Sequence, residues 1–271
     1  MAEIDARKIL IYLAVKYNGD FSKINHALHL YEGKQASYEE IEEVCNSIKS
    51  NAITILDEGY PEDLKRIYHP PLVLFYYGDV TLLNEGKHRY AVLGSRDYSG
   101  YGELVTKRLV EEMGPETIVV SGLARGIDTI AHESALENST KTIAVLGSGI
   151  DYCYPMENKD LYEKIKKGGL IISEYPGMSE PTVTQMPLRN RIIVALSKAL
   201  IVPQINSLTS GTMMAISIAA EVNKSVYIAP HSIFEETANN ELILEGAIPI
   251  LSGQQILKDL HWDKNSDEDK E

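Results

Sequence analysis

The chain has 271 residues, 44% of them hydrophobic and 24% charged, which suits a soluble globular protein with room for one α/β domain and a smaller companion. Its 26 basic and 39 acidic residues leave a net charge of −13, the reverse of the basic excess usual in proteins that grip nucleic acid, so any such role needs a local concentration of cations. Cys45 and Cys153 are far apart and share no metal-ligand spacing, which argues against a disulfide scaffold or zinc module and points to a reducing compartment, the cytoplasm. The start lacks a basic segment followed by an apolar run, and no stretch reaches the roughly 18 apolar residues of a membrane span, so neither a secretion signal nor a span is expected.

The first elements read as helices. Ile4–Tyr17 sets Leu10, Leu13, Ala14 and Tyr17 at helical spacing, Phe21–Tyr31 is a second amphipathic run, and a third surrounds Ile41–Ile48. Together they predict a small all-helical domain over residues 1–50. Residues 51–88 read as a connector ending in a strand through Leu72–Tyr77. From Arg89 the pattern changes. Apolar strand candidates at 90–93, 117–120, 142–146, 170–173, 199–202 and 225–229 alternate with helical stretches at 103–113, 127–138, 158–167, 189–197 and 212–222. Such alternation over residues 89–258 implies right-handed crossovers and a parallel sheet covered by helices on both faces. Residues 259–271 read as an acidic tail, with five acids and two bases from Asp263 onward.

A parallel sheet of this kind binds ligands beyond the carboxyl ends of its strands, where helix N-termini offer free N–H groups. The first of these strands ends in Gly94, Ser95 and Arg96, with Ser99, Tyr101 and Gly102 following. Glycine admits a ligand close to the backbone, and a guanidinium grips phosphate with a fork of donors. A tight turn carrying a surface arginine is the structural alternative. The second strand ends in S-G-L-A-R-G-I-D, Ser121 to Asp128, which repeats the design with Arg125 and places His132 one helical turn beyond Asp128. That Asp and His resemble an acid–base couple, but a helix cap and its structural partner account for them better.

The third strand ends in Gly147, Ser148 and Gly149, with Tyr152 where the dinucleotide fingerprint needs glycine, and the chain has no G-x-x-x-x-G-K-[ST] run. Nicotinamide cofactors and the usual ATPase machinery are therefore excluded, and neither cofactor nor metal is expected. Tyr152 and Tyr154 could stack on bases or pack against the rim of the sheet. Arg189, Asn190 and Arg191 form the densest donor cluster. First helical turns favour acids over bases, so these cations call for an anion, a ligand phosphate or a carboxylate such as Glu174. Ser210, Gly211 and Thr212 open another helix with small hydroxyl side chains.

These segments occur together and in order with Tyr154-Pro155, Asn158, Ser173-Glu174-Tyr175, Pro187 and Gly246-Ala247. The combination resembles the DprA (DNA-processing protein A, or Smf) family of bacterial transformation over roughly residues 53–258. The resemblance implies an extended Rossmann-like domain, a SAM-like helical domain before it, and no room for a C-terminal winged helix. It implies a non-catalytic protein that binds single-stranded DNA, protects it and loads the RecA recombinase. The DNA contacts it implies are Ser95, Arg96, Arg125, Arg189, Asn190, Ser210 and Gly211, with Ser121 and Gly122 lining the same groove. A homodimer is implied through Leu242, Ile243, Gly246 and Ala247.

The chain departs from the family pattern in four places. Met186 replaces a phenylalanine that can pack on a base. Met156 replaces a basic residue, leaving Lys159 as its substitute. Gln204-Ile205 stands for Glu-Ala, and Pro230-His231 for Pro-Gly. These changes predict weaker or more salt-sensitive DNA binding on the same fold. The rival is a nucleotide-binding protein or an enzyme like the lysine-decarboxylase-like phosphoribohydrolases, whose P-G-G-x-G-T-x-x-E glutamate would fall on Ala215. The missing carboxylate weighs against hydrolysis.

Overall fold

The computed structural model describes residues 5–84 and 88–262. Three helices come first: α1 (Ala6–Lys16), α2 (Phe21–His29) and α3 (Tyr38–Ser47). Each starts on a short polar side chain that takes up an otherwise free amide. Asp5 accepts from the Arg7 N–H at 3.0 Å, Asp20 from Lys23 at 3.1 Å and Ser37 from Glu40 at 3.1 Å. The Ser37 cap starts α3 earlier than the apolar spacing alone predicts.

Residues 51–84 contribute two strands, β1 (Asn51–Thr54) and β2 (Val73–Gly78), with the short α4 (Glu62–Lys65) between them. Then follow β3 (His88–Val92), α5 (Gly100–Met113), β4 (Thr117–Ser121), α6 (Ile127–Glu137), β5 (Lys141–Gly149), α7 (Lys159–Gly168) and β6 (Leu170–Tyr175). The chain crosses back through α8 (Gln185–Leu188) and α9 (Asn190–Leu196) to β7 (Ala199–Val202). It ends with α10 (Gly211–Glu221), β8 (Ser225–Ile228), α11 (Asn239–Leu244), β9 (Ile248–Pro249) and α12 (Gly253–Asp259).

The strands form one nine-stranded sheet in the order β1-β2-β6-β5-β4-β3-β7-β8-β9. β1 and β2 are antiparallel additions at one edge, with Phe75 opposite Ser173, and the pairs from β6 to β9 are all parallel. The fold is thus an extended, mostly parallel Rossmann-like sheet flanked by helices. From β3 the chain builds outward through β4, β5 and β6, then returns to lay β7 and β8 on the other side of β3. Strand order therefore reverses between β3 and β7, and the two diverging connections open a crevice above their carboxyl ends.

The core splits by the period of the strands. Ala91, Ile118, Val120, Ile143, Val145, Leu170 and Ile172 pack on one face with α9 and α10. Tyr90, Val92 and Val119 point the other way, toward α5, α6 and α12. Ala144, Leu146 and Ile171 share that second face with α7 and with Leu10, Leu13, Ile24 and Ile41 of the N-terminal helices. Strands buried on both faces need apolar residues at every position, which is why they stand out as unbroken runs in the sequence.

Cys45 and Cys153 are free thiols. Among the described residues no helix is long and apolar enough to cross a membrane. The acidic segment 263–271 lies outside the described residues.

Candidate functional site

Above the switch point lies a cleft of about 690 Å³. One rim is the turn after β3, from Leu93 to Asp97. Facing it are Asn206, Ser207 and the start of α10 at Ser210–Thr212. Pro181–Val183 and Met186–Asn190 close a third side, and Asp128 lies at the bottom.

Backbone and amide contacts hold the two rims together. The Ser95 N–H donates to the Gln204 carbonyl at 2.9 Å, while the Ser95 hydroxyl accepts from the Asn206 N–H at 2.8 Å. The Asn206 side-chain amide donates to the Asp97 carbonyl at 2.7 Å, and the Gln204 Oε1 accepts from the Ser99 N–H at 2.9 Å. With its turn so fastened, Arg96 stands exposed, with no hydrogen bond or ion pair to the described residues.

The second turn abuts the first. Gly126 has φ +80°, and a Cβ there would run into the carbonyls of Ser95 and Arg96. Only glycine accepts both the dihedral and the approach. The next amide, Ile127 N–H, donates to the Ser95 carbonyl at 3.2 Å. Arg125 projects outward and pairs with Glu157, both largely exposed, so the pair is weak and easily exchanged for another anion.

Arg189 differs from the surface cation that its place in the sequence implies. It lines the cleft but is only 5% exposed, its Nη1 donating inward to the carbonyls of Gly122 and, at 2.7 Å, Val145. Its Nη2 lies 3.6 Å from the Asp128 carboxylate. A Cβ on Gly122 would strike this guanidinium, which explains that glycine. Gly122 and Ser121 therefore underlie the cleft. The Ser121 hydroxyl donates to the Val92 carbonyl at 2.6 Å and ties β4 to β3.

Asp128 and His132 also depart from the expected cap and partner. Gly126 occupies the N-cap of α6, and Asp128 reaches back to accept from the Gly122 N–H at 3.2 Å. The His132 Nδ1 pairs with the Thr142 hydroxyl at 2.7 Å, and its Nε2 is buried without a partner among the described residues. Burial pushes the Asp128 carboxyl up to about 6, against the pull of Arg189 and of the Ala124, Gly122 and Gly94 amides. Burial, with Arg189 adding to it, pushes His132 down to about 3. These groups brace the floor.

The question of what anion Arg191 meets has a definite answer. Its guanidinium holds Glu174 in a buried fork at 2.7 and 2.6 Å and donates to the His69 carbonyl at 2.9 Å, a part-buried contact. Asn190 donates its side-chain amide to the Gly211 carbonyl at 3.0 Å and so sets α9 against α10. Two serines then make an instructive pair. Ser99 caps α5 by accepting the Gly102 N–H at 3.2 Å. Ser210 occupies the same place on α10, but its buried hydroxyl makes no cap bond and has no partner among the described residues. The start of α10 thus sets its first-turn amides on the cleft, while the Ser210 hydroxyl itself is buried.

Tyr154 is 42% exposed and lines the cleft, whereas Tyr152 is half-buried at the rim, its carbonyl accepting from Ser148. Lys159 is exposed at the start of α7 and is not among the lining residues. Of the segment read as a dimer face, Leu242 is buried in the chain's own core, Ile243 and Ala247 are half-buried, and Gly246 is exposed. Gln204, Asn206 and the wall residue Thr182 escape a reading built on glycine and arginine. For Gln204 and Asn206 the local signal is a polar interruption just after an apolar run; Thr182 has none. Among the described residues, no three His, Cys, Asp or Glu side chains gather as a metal site.

A doubly wound α/β sheet with a cleft at its switch point defines the structural class. The sequence profile of the family described as DNA recombination-mediator protein A matches residues 51–261, and the chain belongs to this family, that of the DprA and Smf proteins. It is 39% identical over 216 residues to the DNA processing protein DprA of Streptococcus pneumoniae, covering 79% of this chain and 76% of that one. It is 37% identical over 213 residues to the DprA of Bacillus subtilis, covering 78% and 71%. The X-ray structure of the S. pneumoniae DprA superposes with a TM-score of 0.78 at 34% identity, covering 93% of this chain and 92% of that one. The Helicobacter pylori DNA processing protein A, solved for its single-stranded DNA binding mode, superposes with a TM-score of 0.71 at 31% identity, covering 79% and 97%.

Proposed function

We propose that the chain binds single-stranded DNA along the cleft without catalysing a reaction, shields the strand and passes it to the RecA recombinase during transformation. The observation that carries this reading is Arg96, exposed and unpaired among the described residues, on a cleft whose opposite rim is the start of α10 at Ser210–Thr212. Cations and helix amides of this kind hold phosphates along a strand without reading its bases. Arg125, whose exposed partner is readily displaced, extends the same track. The Helicobacter pylori relative, studied for its binding to single-stranded DNA, supports the assignment.

In this reading residues 89–258 are the DNA-binding unit, 51–88 a connector, and 1–50 an accessory helical unit. The protein acts in the cytoplasm as a homodimer through the segment around Leu242–Ala247, with Gly246 its exposed member. Ala215, aligned with the glutamate of the phosphoribohydrolases, is wholly buried and has no carboxyl to offer, which favours binding over hydrolysis. Fluorescence anisotropy with labelled oligo-dT tests the assignment. We expect tight binding of the single strand, weak binding of duplex, and no displacement by excess AMP. Displacement by AMP would identify a pocket for one nucleotide instead.

A further inference from the structure

We propose that Phe21, His69 and Tyr68 form a stacking platform for a nucleobase of the strand as it leaves the cleft. The proposal rests on the reading that the cleft holds single-stranded DNA. The rings of Phe21 and His69 stack with centroids 4.5 Å apart, and those of His69 and Tyr68 at 3.9 Å, with 24° between the planes in each pair. Tyr68 ends the pile and is 83% exposed, so its outer face is open to solvent. A tyrosine laid flat on the outside of a structure buries little of its own surface. Its open face is the shape on which a base stacks, whatever its identity.

The platform lies on the same edge of the molecule as the cleft. β2 runs antiparallel to β6, so its beginning at Val73, four residues after His69, lies beside the carboxyl ends of the parallel strands. From β3, whose end carries Arg96, to β2 is four strand spacings, about 19 Å. Two links join platform and cleft. Arg191, next to Asn190 of the cleft wall, donates to the His69 carbonyl at 2.9 Å and neutralises Glu174, which removes a carboxylate from the path. The Ser179 hydroxyl donates to the Asn18 side chain, fastening the loop before Phe21 to the segment that continues into Pro181–Val183. His69 is held at φ +53°, a conformation unusual for a residue with a Cβ, and Arg191 grips the carbonyl of that residue. Arg66, exposed two residues before Tyr68, offers a cation to the phosphate of the stacked nucleotide.

The test compares Tyr68→Ala, Tyr68→Phe and Arg96→Ala on oligo-dT of about 4 and about 16 nucleotides, lengths that span the site sizes of known single-strand binders. Tyr68→Ala should weaken the long oligonucleotide at least about fivefold and leave the short one unchanged, while Tyr68→Phe binds both like the parent. Arg96→Ala should weaken both lengths. If Tyr68→Ala binds the long strand like the parent while Arg96→Ala does not, the platform is wrong and the cleft stands. Equal losses on both lengths would also overturn the platform, because they would mark a structural effect. If the parent binds neither length, the cleft reading fails and the platform with it. Melting curves of the Tyr68 variants should match the parent, since the ring is exposed.

Discussion

The rim and the floor of the cleft use the same residue for opposite ends. Arg96 on the rim and Arg191 by the floor each follow a strand or open a helix on the same edge of the sheet. Arg96 is exposed and unpaired among the described residues, whereas Arg191 is buried, with Glu174 forked onto it. Arg189 belongs with Arg191, donating inward to Gly122 and Val145. A guanidinium inside the protein fixes where the loops sit, and one outside is left for a ligand. What decides between the two roles is whether carbonyls or a carboxylate surround it.

The largest test of this contrast is Arg191→Met. Removing one member of a buried pair leaves Glu174 uncompensated, and chemical denaturation should show a loss of about 3–5 kcal/mol. A loss under about 1 kcal/mol would place Arg191 with Arg96 as a rim residue.

A smaller effect sharpens the floor. His132 titrates near 3 in the folded protein against about 6.5 unfolded, so acidification through that window protonates the unfolded chain first and lowers stability. Asp128 works in reverse. Its folded value near 6 exceeds the ordinary 3.8, so the stability it contributes is present at low pH and lost as pH rises toward 6. Between about pH 4 and 6 the two largely cancel. His132→Gln should break the balance, gaining about 2 kcal/mol relative to the parent on going from pH 7 to pH 5 in denaturation curves. Parallel curves for the two proteins would show that His132 is not held neutral.

The sheet was legible because its strands are apolar on both faces and its helices alternate with them at regular spacing. β1 and β9 were not, for they are short edge strands whose pairing is decided by tertiary contacts. The position of the cleft was legible from Gly94, Arg96 and Ser210, which line it at a strand end or a helix start. That Arg189 and Ser121 are buried was not legible, because nothing local says which way a side chain points. The reversal of strand order that places β7 beside β3, and with it the Gln204 and Asn206 clamp, is a property of the whole path of the chain. Arg191 was read correctly as needing an anion, since a base in a first helical turn is out of place without one.

The most direct measurement is the salt dependence of oligo-dT binding for the parent and for Arg96→Ala. Affinity of the parent should fall steeply and log-linearly as salt rises. In Arg96→Ala the slope should shrink by about one counterion while stability stays within about 0.5 kcal/mol of the parent. A flat response in the parent, or an Arg96→Ala protein with the parent's slope and affinity, would contradict a cleft that holds a polynucleotide by its phosphates.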